Sequence, residues 1–145
     1  MKRFAMFLFA ALSITGCGDL LTPEPDPADA WIGIYNYIDN YYLSWGSSTK
    51  SDTYQGQFSL TKIDKDRVRM SGDWNTTGRI QGNSIYFDFC PQSDANGYYN
   101  YTFGAGILGS SNMTFTYSCS GERRYSNGVS YPWRSNGNVY AYRAN

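Results

Sequence analysis

Apolar and polar residues alternate one by one along most of the chain that follows Trp31. Four segments show this alternation: Tyr54–Leu60, Val68–Trp74, Ile85–Phe89 and Met113–Tyr117. Successive side chains of a β-strand point to opposite faces of the sheet, so a period of two indicates half-buried antiparallel strands. No stretch carries apolar side chains at the spacing of a helix face. The alternation therefore predicts an all-β domain.

Short breaks rich in Gly, Asn, Asp and Ser separate the alternating segments. Asn127–Gly128 and Asn136–Gly137 are tight-turn dipeptides, because both residue types tolerate a positive φ. The breaks predict an antiparallel up-and-down meander of eight to ten strands, and a closed barrel is favoured over a sandwich because closure removes exposed edges. The predicted strands are 31–38, 41–45, 53–63, 66–74, 77–81, 84–90, 98–108, 112–119, 124–131 and 138–143.

Residues at the two ends of this region resemble the lipocalin pattern. The sequence Gly-Ile-Tyr that begins at Gly33 stands where lipocalins carry Gly-x-Trp, with Tyr35 in place of the Trp. Arg143, near the end of the last predicted strand, stands where lipocalins place a basic residue against that aromatic ring. Residues 31–145 thus resemble the calycin-like barrel of small lipoproteins common in Bacteroidetes-type genomes. The resemblance implies a β-barrel in which Arg143 packs on Tyr35.

The N-terminus has the layout of a bacterial lipoprotein signal peptide. Lys2 and Arg3 precede an apolar run, Phe4–Leu12, that is shorter than the roughly 20 residues a membrane-spanning helix needs. The sequence Ile-Thr-Gly before Cys17 resembles the lipobox, in which the cysteine is acylated and the bond before it is cleaved. The resemblance implies a signal peptide at residues 1–16 and a lipid anchor on Cys17. The alternative is an ordinary secretory signal with a chance cysteine.

The mature chain is expected to begin with a linker. Gly18 follows the cysteine, whereas an Asp there is the enteric signal for inner-membrane retention, so the outer membrane is favoured, on either its periplasmic or its outer face. Residues 17–30 hold three prolines, four acids and no base. Since proline fixes φ and donates no hydrogen bond, we expect an extended spacer of about 40 Å that holds the domain at 31–145 off the membrane. A disordered tail without a selected length is the alternative.

Two cysteines remain for the barrel domain once Cys17 is acylated. Cys90 and Cys119 both fall at the ends of predicted strands. An even pair in an oxidising compartment predicts a disulfide, which would close a loop of about 30 residues and stabilise the fold by roughly 3–4 kcal/mol. Two buried free thiols are the alternative.

The composition excludes several classes of function. The chain contains no histidine, which removes Ser-His-Asp triads, Cys-His dyads and His-ligated zinc or haem. Its 12 Lys and Arg balance 12 Asp and Glu, so there is no basic excess for binding nucleic acid. No pair of carboxylates and no cluster of metal ligands stands out, so we expect no enzymatic activity, no cofactor and no metal.

Aromatic residues are the remaining signal, because they make up 18% of the chain and include 14 tyrosines. Tyr41-Tyr42 and Tyr98-Tyr99 are adjacent pairs on predicted strands, so one member of each pair faces outward or into a barrel mouth. Planar rings with a polar group suit glycans, apolar ligands and protein interfaces. The alternative is that tyrosine only fills a β-surface that it favours. The candidate ligand-binding residues are Tyr42, Trp45, Tyr98, Tyr131 and Trp133.

These features favour a monomeric, non-enzymatic lipoprotein of the cell envelope that binds a small apolar or aromatic ligand, or a glycan, in its barrel. The alternative is a protein-interaction lipoprotein, an inhibitor or an accessory subunit of an envelope complex, with a barrel filled by Phe and Tyr. The interior volume separates the two hypotheses, because a cavity of about 300 Å³ or more favours a small ligand.

Overall fold

The computed structural model describes residues 24–144, and this part of the chain consists almost entirely of antiparallel β-strands. One short 3-10 helix, Pro27–Ala30, precedes the first strand. No helix in the described range is long and apolar enough to cross a membrane. The strands are β1 (Gly33–Trp45), β2 (Ser48–Asp64), β3 (Arg67–Gly72), β4 (Thr76–Gln81), β5 (Ser84–Phe87), β6 (Cys90–Asp94), β7 (Gly97–Phe103), β8 (Gly106–Leu108), β9 (Asn112–Arg124) and β10 (Ser130–Arg143).

The strands form one sheet that closes on itself. β10 pairs with both β1 and β9, so eight strands (β1, β2, β3, β4, β5, β8, β9 and β10) form a ring. β7 pairs with the far half of β9, and β6 pairs with β7. β5 and β6 form one arm of a long hairpin, and β7 and β8 form the other. Each arm is interrupted by only two residues. The predicted all-β, up-and-down closed barrel is confirmed.

The structure changes several predicted strand boundaries. The predicted strands 31–38 and 41–45 are one continuous strand, β1. Asn136–Gly137 is not a turn but lies inside β10. The glycine is present there because the side chains of Tyr117 and Asp39 pack directly against its Cα. The Asn127–Gly128 turn is present, with its glycine at a φ of +79°. The segment 124–131, predicted as a strand, contains this turn and the adjoining ends of β9 and β10.

Alternate turns lie at opposite ends of the barrel. We call the end with the β2–β3, β4–β5 and β8–β9 turns the closed end, because buried side chains fill its interior. Trp31 and Tyr35 plug it, and the Tyr35 hydroxyl donates a hydrogen bond of 2.9 Å to the Trp31 carbonyl. Burial of each large apolar side chain contributes about 1.5–3 kcal/mol. The remaining fully buried side chains of this end include Leu60, Val68, Met70, Ile85 and Met113.

The segment just before β1 packs on the barrel instead of extending away from it. Ala28 is fully buried in the 3-10 helix, and its amide donates to the Lys65 carbonyl at 3.0 Å. Trp31 is only 1% exposed. The expected extended spacer therefore does not reach residue 30, because burial of these apolar side chains draws Pro27–Ala30 onto the closed end.

Two ion pairs accompany this contact. Lys62 Nζ lies 2.6 Å from Asp26 and 2.8 Å from Asp29. Such partly exposed pairs contribute about 0–1 kcal/mol each, so burial of the apolar groups is the larger effect. The predicted signal peptide, the predicted lipid anchor Cys17 and residues 18–23 lie outside the described part of the chain.

Arg143 makes the contact that the lipocalin resemblance implies. Its guanidinium carbon lies 5.9 Å from the centroid of the Tyr35 ring, and its Nε donates to the Tyr35 hydroxyl at 3.3 Å. A second guanidinium nitrogen donates to the carbonyl of Ala30. The last strand thus holds the first strand and the 3-10 helix together at the closed end.

The barrel wall is low on one side. β3 and β4 form a short hairpin, so residues 48–57 of β2 pair only with β1, and β6 pairs only with β7, among the described residues. Asp73 and Trp74 connect β3 to β4 at the base of this opening, which we call the side gap. The side gap gives the barrel interior a lateral entrance in addition to its mouth.

Gly137 faces the interior at a point where no side chain fits. A Cβ atom there would lie 2.2 Å from Tyr117 Cε1 and 2.5 Å from Asp39 Oδ1. We expect Gly137→Ala to lower the free energy of unfolding by about 1–3 kcal/mol, the usual cost of overpacking. Urea unfolding followed by tryptophan fluorescence measures this. Asn138→Ala, on the outer face of the same strand, is the control and should change stability by less than about 0.5 kcal/mol. Equal effects of the two substitutions would contradict the packing around Gly137.

Candidate functional site

The other end of the barrel, which we call the open end, contains a cavity of about 530 Å³. Eleven of its sixteen lining residues are Tyr or Trp, and none is Phe. Every aromatic ring of the lining therefore carries a polar group. The lining side chains belong to Tyr37, Asp39, Tyr41, Leu43, Trp45, Tyr54, Asp73, Trp74, Tyr99, Tyr101, Tyr117, Arg123, Tyr125, Tyr131, Trp133 and Ser135.

The rings of the open end pair with one another along the barrel wall. The centroids of Tyr99 and Trp133 are 5.3 Å apart, and those of Tyr125 and Tyr131 are 5.6 Å apart. In the sheet register Tyr99 and Trp133 lie on either side of Gly121, so no side chain separates their rings. Rings that pair in this way pack along the wall, and space remains along the barrel axis.

Two tyrosine–aspartate hydrogen bonds mark the inner part of the cavity. The Tyr37 hydroxyl donates to Asp73 Oδ2 at 2.6 Å, and the Tyr117 hydroxyl donates to Asp39 Oδ2 at 2.6 Å. Burial, followed by the bond to its aspartate, raises the pKa of each tyrosine, so both hydroxyls remain protonated donors. No group of three or more His, Cys, Asp or Glu within residues 24–144 is placed to hold a metal ion.

Each of these hydrogen bonds lies over a glycine. A Cβ atom on Gly56 would lie 2.3 Å from Asp73 Oδ2 and 2.6 Å from the Tyr37 hydroxyl. Gly137 has the same relation to the second pair, as described above. Both pairs therefore occupy space that any larger residue would fill, and this explains why two glycines interrupt otherwise regular strands.

Asp39 forms the floor of the cavity and differs from Asp73 in its environment. It is only 4% exposed, whereas Asp73 is exposed at the side gap. Its Oδ1 atom is buried beside Gly137 and has no hydrogen-bond partner among the described residues. Burial raises the pKa of Asp39, and the hydrogen bond from Tyr117 offsets only part of this rise. Asp39 is thus a buried carboxyl group at the cavity floor whose hydrogen-bonding capacity is only partly used.

Trp74 separates the cavity from the solid interior. Its ring centroid lies 4.9 Å from that of Tyr37 and 5.7 Å from those of Phe115 and Tyr117. The ring is 4% exposed although it stands at the base of the side gap. Trp74 therefore fixes where the packed core ends and the cavity begins.

The structure brings three of the five predicted ligand-binding residues together. Trp45, Tyr131 and Trp133 line the cavity, and the Nε1 atom of Trp133 is buried without a hydrogen-bond partner. Tyr42 and Tyr98 do not line it, because they point outward and are 45% and 48% exposed.

The neighbours of these two tyrosines take their place. Tyr41 and Tyr99 line the cavity, so in each adjacent pair the predicted tyrosine faces outward and its neighbour faces inward. The phase of β1 explains the first case: Tyr35 and Tyr37 point inward, and Tyr41 keeps the same alternation because the strand is continuous.

Sequence reasoning missed the two aspartates of the site. Asp39 lies between Tyr37 and Tyr41 at an inward position of β1, and a polar residue in that phase was the available signal. The predicted break between residues 38 and 41 concealed it. Asp73 gave no such signal, because it lies in the loop between β3 and β4, where side chains do not follow the alternation of a strand.

Cys90 and Cys119 are buried free thiols, which corrects the predicted disulfide. Cys90 lies opposite Tyr101 on β7, and Tyr101 lies opposite Cys119 on β9. Because a whole strand separates the cysteines, their Cα atoms are about 9–10 Å apart, beyond the roughly 7 Å that a disulfide spans. Burial raises the pKa of the Cys119 thiol to about 11, which suppresses its thiolate form.

Comparison with known proteins does not assign the chain to a family. No protein-family model and no curated protein matches it. A protein of unknown function of the DUF3598 family from Nostoc punctiforme is 15% identical, with a TM-score of 0.43, over 81% of this chain and 49% of that one. A mutant of the vaccine antigen transferrin-binding protein B from Haemophilus parasuis is 11% identical, with a TM-score of 0.24, over 83% and 29%. The chain spans about half of the first protein and under a third of the second, and such remote likenesses carry no argument.

The raised pKa of Asp39 predicts how stability depends on pH. The folded state keeps the proton at pH values where the unfolded chain has released it, so the contribution of Asp39 is lost as the pH rises through its folded pKa. Asp39→Asn escapes this loss and should gain about 1 kcal/mol of stability relative to the wild type as the pH is raised above the usual aspartate pKa of about 4. Tyr37 and Tyr117 contact or face Asp39, and because the pKa values of both are raised they stay uncharged in this experiment. Urea unfolding at a series of pH values measures the gain.

Asp73→Asn is the matched control for this experiment. It removes the other carboxylate of the cavity, which is exposed to solvent, and should not show the same gain. A relative stability of Asp39→Asn that falls with rising pH would contradict the burial of this carboxyl group.

Proposed function

We propose that the protein is a lipid-anchored, non-enzymatic binding module of the cell envelope, and that its barrel holds a small ligand at the open end. The cavity carries the proposal, because its volume of about 530 Å³ falls within the range of about 300–1,000 Å³ typical of small-ligand sites. The protein-interaction alternative requires a barrel filled along its whole length, and only the closed end is filled, mainly by aliphatic side chains together with Trp31, Tyr35 and Phe58. A monomer suffices for this function, since one chain supplies the whole lining.

The lining favours a ligand that combines flat or apolar faces with hydrogen-bonding groups. Tyr and Trp offer a ring face for stacking and a polar group for orientation. The nearby phenylalanines Phe87, Phe103 and Phe115 lie in or against the core and not in the lining. A plain hydrocarbon chain would leave the polar groups of the lining unpaired, whereas an aromatic compound or a glycan can satisfy them.

The position of the N-terminal segment supports this use of the barrel. The described chain reaches the closed end through Pro27–Ala30. An acyl anchor on Cys17 would tether that end to the membrane through a spacer of up to about 30 Å before Asp26. The open end then points away from the membrane, where a ligand in the aqueous compartment can enter through the mouth or the side gap.

Adjacent tyrosines provide a sharp test of the binding site. We expect the wild type to be stabilised thermally by an aromatic compound or an oligosaccharide in a panel that also contains fatty acids and porphyrins. Tyr41→Ala and Tyr99→Ala should weaken that ligand about 10-fold, which equals about 1.4 kcal/mol. Their neighbours Tyr42→Ala and Tyr98→Ala should leave its affinity within about 2-fold. Calorimetric titration measures the four dissociation constants.

Two results would count against the binding module. One is the absence of a thermal shift with every class in the panel. The other is an equal loss of affinity in the inward-facing and outward-facing variants, since a ligand in the cavity contacts only the inward-facing tyrosines.

The lipid anchor is tested at Cys17. Cys17→Ser removes the thiol that is acylated and should block both acylation and the cleavage that follows it. Each buried methylene of an acyl chain contributes about 0.8 kcal/mol to membrane binding, so the variant should leave the membrane fraction or remain as an uncleaved precursor. Mass spectrometry of the membrane fraction identifies the modified N-terminus. An unmodified Cys17 in the wild type, or a mature N-terminus at another residue, would refute the anchor and the outer-membrane location.

A further inference from the structure

We propose that the ligand of this cavity is an organic amine in its protonated form, with its ammonium group hydrogen-bonded to Asp39 on the cavity floor. This inference rests on the proposed function, because it names the ligand class of the same cavity. The observation behind it is a carboxyl group that lines a cavity of aromatic rings and keeps one buried oxygen without a partner among the described residues.

Asp39 lacks the partners that a buried carboxylate normally has. It is 4% exposed, its Oδ2 accepts one hydrogen bond from Tyr117, and its Oδ1 accepts none. Two carboxylate oxygens offer about four acceptor sites. Buried charges in proteins are as a rule paired with an opposite charge or a metal, and Asp39 has neither among the described residues.

The acidic groups of the cavity lie near its floor, and its basic residue lies toward the rim. Arg123 is the only basic residue among the described lining residues, and its Cα lies six positions, or about 20 Å, beyond that of Tyr117 along β9. Its guanidinium carbon is 5.9 Å from the ring of Tyr125, at the rim. Asp73, at the side gap, adds a second carboxylate to the inner part of the cavity.

Aromatic rings surround the same place. Tyr37 and Tyr117 donate their hydroxyls to the two carboxylates, and the Trp74 ring lies within 5.7 Å of both tyrosine rings. The face of an aromatic ring attracts a cation by about 0.5–2 kcal/mol, more when water is excluded. Carboxylates and ring faces therefore favour the same sign of charge in the ligand.

A protonated amine satisfies this arrangement better than a neutral ligand does. The hydroxyl of a sugar or an alcohol can donate to the Asp39 carboxyl group but brings no charge that would favour its ionised form. An ammonium group donates to the same carboxyl group and also supplies a positive charge, which favours the carboxylate over the protonated acid. The wider part of the cavity, where Trp45, Tyr99 and Trp133 present their rings, then accommodates the apolar or planar body of the amine.

The preference for a charged ligand is tested by comparing the affinities of an amine and an alcohol that share the same carbon skeleton. Full-length protein in a non-ionic detergent is titrated calorimetrically at neutral pH with methylamine and methanol, hexylamine and hexanol, and 2-phenylethylamine and 2-phenylethanol. We expect the amine of at least one pair to bind at least about 10-fold more tightly than its alcohol. Asp39→Asn should reduce this preference to within about 3-fold, whereas Asp73→Asn should retain most of it. Circular dichroism melting of both variants verifies that they are folded.

The outcomes separate this inference from the proposed function. Equal binding of amine and alcohol in all three pairs, or a preference that survives in folded Asp39→Asn, overturns the amine ligand. If a neutral aromatic compound or an oligosaccharide still binds in a manner that depends on Tyr41 and Tyr99, the binding module stands without it. If no amine and no member of the neutral panel binds, both proposals fall.

Discussion

The pairing of the first strand with the last determines the rest of this structure. Eleven residue pairs join β1 to β10, from Tyr35 opposite Arg143 at the closed end to Trp45 opposite Trp133 at the open end. Because side chains alternate between the two faces, a register shift of one residue would turn the whole inward set of a strand outward. The plug at one end and the aromatic lining at the other therefore depend on the same closure.

The packed core and the cavity lie in different parts of the barrel. The closed end contains aliphatic residues, Phe58 and Trp31, which pack without space between them and gain most from burial. The open end contains Tyr and Trp, whose polar groups need partners and whose rings pair along the wall. Trp74 stands between the two parts and contacts rings of both. The barrel can thus keep a hollow end because its other end is solid.

The alternation of apolar and polar residues predicted an all-β antiparallel domain, since a period of two is local in sequence. The closed barrel was favoured because closure removes exposed sheet edges. Two details of the site were not predicted, for different reasons. The inward orientation of Tyr41 rather than Tyr42 was not predicted because a predicted break hid the phase of β1. The disulfide failed because Tyr101 on β7 lies between Cys90 and Cys119, and no local pattern reveals the intervening strand.

Asp39 is the residue that the fold itself does not explain. Its neighbours across the sheet are Val139 and Tyr54, and Val139 lies opposite Phe115. A valine or leucine at position 39 would continue this apolar row and avoid the burial of a carboxylate, which Tyr117 compensates only in part. Gly137 also leaves room beside the carboxylate, although an interior glycine weakens a strand. Two features that each reduce stability meet at one point on the cavity floor, and this coincidence is what the proposed ligand site would explain.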